Sequence, residues 1–254
     1  MAQFETVQRT GAGARTAHID AGLRAHMNKV YGLMSLGMVV TGIIAYIVGM
    51  DLNAARSGEA TTFLSPALLE TMFSSPIRYV IMFAPLAVVF MFGAAVNRLS
   101  ENAARGVFLL FSALMGLSLS WIFAIYTGVS IAQTFFITAI AFLGLSLWGY
   151  TTKKDISGWG SFLIMGVIGL LVAMIVNIFL GSPAIMFAIS VLGVLIFAGL
   201  TAYDTQNIKN TYIAMAANNQ TEWLGKAAIM GALNLYLDFL NMFQFLLMFL
   251  GNQE

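Results

Sequence analysis

Apolar runs of about 20 residues, separated by short polar stretches, recur along the whole chain. A bilayer core about 30 Å thick takes roughly 20 residues of helix, so runs of this length predict membrane spans. Charges, glycines and prolines punctuate them and predict seven spans, near residues 28–50, 77–97, 106–126, 130–150, 159–180, 184–204 and 226–250. The fourth begins directly after TGVS and the sixth after GSP, turns short enough to force antiparallel hairpins. Two longer connections remain, an outer loop over 51–76 and an inner one over 205–225. Within the outer loop, TTFLSPALLETMF carries enough apolar residues for a short helix lying at the interface. The predicted class is all-α, a polytopic membrane protein. It has one seven-helix domain over 28–254, preceded by a polar tail over 1–27 that is expected to be disordered.

Composition agrees with the pattern. Of 254 residues 59% are hydrophobic and only 9% charged, against the roughly 25% charged residues usual in soluble domains, and the mean hydropathy is +0.86. A net charge of +1 provides no basic field for nucleic acid, and the absence of cysteine removes disulfides, thiolate nucleophiles and sulfur-ligated metals. The distribution of charge is more informative than its sum. With the first tail inside, every one of the 12 basic residues except Arg56 and Arg78 falls on an inner segment. By the positive-inside rule the amino terminus faces the cytosol and the carboxyl terminus faces out. The first apolar run is too long for a signal-peptide core and is expected to stay as an uncleaved anchor. Short connections and the lack of retention signals point to a bacterial inner membrane.

Ionisable groups within spans cost about 2.5–3.5 kcal/mol on insertion scales and mark function by default. Asp238, in LYLDFLN, sits near the middle of the last span, and Asp204, in TAYDTQNIK, closes the sixth. Asn234 at i−4 and Asn241 at i+3 share the face of Asp238, and such a stripe must turn inward. The last span is otherwise apolar almost all round, which predicts a central helix wrapped by the other six. Tyr203 and Tyr236 flank the acids as candidate hydrogen-bond donors, and Asn207 follows Asp204 by three residues. Arg98, at the inner end of the second span, is the candidate counter-charge for Asp204. Helix counting leaves the two acids about 10 Å apart in depth at 1.5 Å per residue, a gap that tilt or an inward extension of the sixth helix must close. Both histidines, His18 and His26, precede the first span, so no catalytic base or zinc ligand lies at depth. No enzyme activity and no cofactor are expected.

FAGLTAYDTQNIK (197–209) together with GALNLYLDFLNMFQFLL (231–247) resembles the signature of the transmembrane Bax inhibitor motif family in a bacterial form. The resemblance, which extends over nearly the whole chain, implies six helices around a hydrophobic seventh. It also implies that Asp204 and Asp238 form a paired-aspartate pH sensor of a calcium leak, with Arg98 matching the arginine that accompanies the pair. The family's association with cytoprotection leaves a second reading, a non-transporting regulator that binds a membrane protease or a cell-death protein. An intramembrane aspartyl protease also pairs a YD with a second aspartate on the next helix. Here Leu235, Tyr236 and Leu237 stand where that family has the glycine-containing approach of GxGD, and no PAL segment follows.

Two carboxylates about 4 Å apart repel by about 4 kcal/mol at an effective dielectric of 20. Sharing a proton, recruiting Arg98 or admitting a divalent cation would each relieve that repulsion. Calcium takes six to eight oxygens, so Asp204 and Asp238 with neighbouring amides and water form a weak, transient site suited to transit. The expected partners are the lipid bilayer, calcium ions and protons.

Overall fold

The computed structural model describes the backbone of residues 2–218 and 221–252, and the side chains from Ile19 onward within those ranges except Thr221. Eight α-helices follow one another: α1 (Ala2–Ser57), α2 (Pro66–Ser74), α3 (Ile77–Ala95), α4 (Glu101–Leu119), α5 (Gly128–Thr151), α6 (Trp159–Leu180), α7 (Pro183–Ala217) and α8 (Leu224–Leu250). All but α2 contain a stretch long and apolar enough to cross a membrane. The predicted interfacial helix is α2, which begins where Ser65 accepts from the Leu68 N–H and Pro66 occupies the first turn. The GSP turn is equally direct. Gly181 ends α6 at φ +58°, a left-handed conformation that favours glycine, and Ser182 caps α7 ahead of Pro183.

Two segments expected to be irregular are helical. Over 205–217, where a connection was expected, α7 simply continues; its 35 residues extend about 52 Å at 1.5 Å per residue, well beyond a 30 Å core. Its polar side chains hold this extension in place. Gln206 accepts from the Ile156 N–H at 3.0 Å and donates to Lys154 O at 2.8 Å, and Lys209 donates to Tyr150 O at 2.7 Å. Tyr212 then packs against His26 at a tilt, with ring centroids 5.0 Å apart. That contact, with Leu23 and Met27 buried beside it, is why 19–27 forms helix rather than a disordered tail. The side chains of 1–18, the rest of that expected tail, lie outside the described residues.

α8 buries a larger share of its most apolar stretch than any other span. It packs chiefly on α7, and also on α1, α5 and α4, whereas α3 packs on α4 and α2, and α6 packs on α7. The expected ring of six around the last helix is therefore reduced, since α3 and α6 stand outside it.

Close approach of α5 and α7 depends on one missing side chain. A Cβ at Gly149 would lie 3.0 Å from Ala202 C and Cα and nearer still to its carbonyl oxygen. Gly149→Ala is expected to lose about 1–3 kcal/mol, the usual cost of overpacking, read as a lower unfolding temperature in detergent. Gly144→Ala, where the added methyl meets nothing within 4 Å, should be neutral. Equal stability of the two variants would contradict this packing.

Candidate functional site

α7 and α8 run antiparallel through the bundle, and the inward extension of α7 removes the expected depth mismatch. Asp238 lies near the midpoint of α8, and Asp204 lies a few residues past the midpoint of α7. The two carboxyl groups meet within hydrogen-bonding reach. Asp238 is only 4% exposed, and its Oδ2 is buried without a hydrogen-bond partner. A buried carboxylate oxygen lacking a donor is costly.

The pair forms part of the wall of a cavity of about 510 Å³ between α6, α7 and α8. This space explains why α6 does not close on α8. The α6 wall is apolar, provided by Ile164, Val167, Leu170, Leu171 and Met174. Polar groups come from α7 and α8: Tyr203, Asn234, Asn241 and Gln244 line the same space as the two acids. Asn241 donates to Leu237 O at 2.8 Å and Gln244 to Leu240 O at 3.3 Å, which anchors each amide nitrogen on its own helix. Tyr203 lies against Gly160, where its hydroxyl fills the space a side chain would take.

Asn234 also lines a second cavity of about 250 Å³, toward the end of the bundle rich in basic residues. There it is joined by His26, Asn97, Asn207, Thr211 and Lys226. Lys226 donates to Asn97 O at 3.2 Å and lies 4.5 Å from the Trp223 ring centroid. Asn207 thus belongs to this smaller chamber rather than to the acids. Asn234, one helical turn before Asp238, is shared by the two cavities.

Two other expected neighbours are elsewhere. Arg98 sits exposed in the turn after α3 and lines neither cavity. Its side chain makes no hydrogen bond or ion pair among the described residues, and so supplies no counter-charge here. Tyr236 is fully buried on the opposite side of α8, where its hydroxyl lies 2.5 Å from Thr41 Oγ1. Thr41 spends its own proton on Ser112 O at 2.8 Å, so Tyr236 is the donor of the pair. The geometry was available in the sequence: residues two apart on an α-helix point about 200° away from one another.

Asp51 was not anticipated as a polar centre. It is 1% exposed, and it accepts from the N–H groups of Thr62, Phe63 and Leu64 at 2.6–2.7 Å. Three backbone donors satisfy the carboxylate and fasten the outer loop to the end of α1. Among the described residues no cluster of three or more histidine, cysteine or acidic side chains exists that could hold a metal ion.

Comparison with known proteins agrees with this architecture. The chain is 46% identical to a Caulobacter vibrioides protein, over 93% of this chain and 92% of that one. It is 42% identical to the inner membrane protein YbhL of Escherichia coli K12, over 92% and 94%. A Streptococcus pyogenes serotype M1 membrane protein is 34% identical, over 92% and 96%. The family model described as inhibitor of apoptosis-promoting Bax1 matches residues 23–254, an interval that holds both acids and all of the candidate spans but the first four residues of the first, and the chain belongs to this Bax inhibitor-like family of multi-pass membrane proteins.

Proposed function

We propose that the protein is a pH-sensitive calcium leak in a bacterial inner membrane, gated by protonation of the Asp204–Asp238 pair. The observation that carries this reading is the meeting of the two carboxyl groups in the wall of the large cavity, one helical turn from Asn234, which the two cavities share. A proton held between them supplies the donor that Asp238 Oδ2 lacks, and it draws α7 and α8 together. Losing that proton leaves two like charges that repel by about 4 kcal/mol at 4 Å and an effective dielectric of 20. Separation of the helices then joins the cavities into an ion path.

Among the described residues the only titratable group beside the pair in the large cavity's wall is Tyr203. No basic side chain among the described residues lines that cavity, and a divalent cation is the natural partner for the ionised form. Asn234, Asn241 and water complete a shell thinner than the six to eight oxygens calcium prefers. A site of this kind lets ions leave as readily as they enter, which conduction requires. The cytosolic amino terminus proposed from the charge distribution makes the 250 Å³ cavity the cytoplasmic vestibule.

The test is calcium flux into liposomes that contain the purified protein and no other. Flux is expected to rise as pH rises and the shared proton is lost. Protein-free levels at every pH would overturn the reading, and would favour a regulator that acts through a partner membrane protein.

A further inference from the structure

A second cleft lies on the bundle's flank, remote from the acids. α1 and α5 both pack on α7 and α8 but make no substantial contact with each other, leaving a groove of about 450 Å³ between them. Its rim includes Leu143 and Leu147, 66% and 63% exposed and facing the surrounding lipid. Its floor has no free polar group. Tyr31 and Ser146 oxygens lie 2.7 Å apart, Ser146 and Thr205 oxygens 2.9 Å apart, and Thr205 donates to Thr201 O at 2.7 Å. With the Thr205 proton spent on Thr201, Ser146 donates to Thr205 and Tyr31 to Ser146. Every hydroxyl proton is directed inward, so the floor accepts hydrocarbon.

The mouth is different. Arg24 and Asn28 stand exposed one turn apart on α1, and the Arg24 side chain has neither a hydrogen bond nor an ion pair among the described residues. Across the groove, Lys209 lies 5.6 Å from the ring centroid of Tyr150, which also lines it. Two cations thus flank an apolar slot at the basic end of the bundle, and basic pockets between spans at that level suit acidic headgroups.

We propose that this groove binds an anionic phospholipid of the leaflet at the basic end, with one acyl chain between α1 and α5 and its phosphate on Arg24. A cleft open to lipid fills with hydrocarbon in any bilayer. The guanidinium, which has no partner among the described residues, turns that filling into a choice of headgroup.

Native mass spectrometry of the full-length protein, given equal amounts of phosphatidylglycerol and phosphatidylcholine, measures the choice directly. Wild-type protein is expected to retain the anionic lipid about fivefold better, the effect of one basic residue near a membrane surface. Arg24→Gln should bring the ratio close to one, while Arg56→Gln, at the other end of α1, leaves it unchanged. Leu147→Trp, at an exposed position that tolerates a larger ring, should fill the slot and lower retention of both lipids, with unfolding temperatures confirming that each variant is folded. Equal retention of the two lipids by wild type would overturn the proposal. So would a loss in Arg56→Gln matching that in Arg24→Gln, or lipid retention in folded Leu147→Trp equal to wild type.

Discussion

Asp238→Asn is expected to reduce calcium flux in liposomes by at least about tenfold and to make the remainder independent of pH. The substitution keeps shape and volume, so the cavity and the helix packing survive, and only the ability to exchange a proton for an ion is lost. An amide facing Asp204 supplies the hydrogen bond that Asp238 Oδ2 otherwise lacks, and so fixes the closed arrangement at every pH. The electrostatic scale supports an effect this large, because removing one of two charges about 4 Å apart changes the local energy by about 4 kcal/mol at an effective dielectric of 20. Asp204→Asn should act in the same direction. Its carboxyl is less deeply buried, so a smaller residual slope with pH is compatible with the same mechanism. Flux and pH response equal to wild type in both variants would remove the pair from the path. Arg98→Gln provides the contrast: with its side chain exposed and without a partner among the described residues, it should leave the pH response intact.

The different fates of Asp238 and Arg98 show which kinds of information the chain carries in legible form. Span number, the hairpin at GSP and the polar face of Asn234, Asp238 and Asn241 depend on local spacing, and local spacing is what a helix converts directly into geometry. Counting spans put Arg98 at the end of the bundle where the smaller cavity lies, next to Asn97, but counting fixes depth and says nothing about position around the bundle. Neighbour order was hidden for the same reason, so α3 and α6 could not be told from the helices that do pack on α8. The 205–217 segment reads as a polar connection because Gln206 and Lys209 find their partners some fifty or more residues earlier in the chain, in Ile156, Lys154 and Tyr150. Asp51 was missed because its three donors come from a loop whose path only the folded chain defines.

Tyr236 tests whether the two faces of α8 have separate duties. Tyr236→Ala is expected to destabilise the protein by about 2–4 kcal/mol, one of the larger effects open to a single side chain. In water a buried aromatic reduced to alanine costs about 3–5 kcal/mol, part of it the transfer of apolar surface. In lipid or detergent that part shrinks, because the unfolded helices are also in an apolar medium. The loss of packing remains, and here it is considerable: the ring makes edge-on contacts with Phe108 and Phe111, each 5.7 Å between centroids, and joins α8 to α1 through Thr41. Tyr236→Phe keeps the ring and removes only that hydrogen bond, worth about 0.6 kcal/mol on average between membrane helices. Because its side chain points away from Asp238, Tyr236→Phe should keep the full pH response of calcium flux while unfolding at a slightly lower temperature. A Tyr236→Phe protein that unfolds like wild type but has lost its pH response would mean that the hydroxyl serves the acids after all. The division of α8 into an anchoring face and a titrating face would then be wrong.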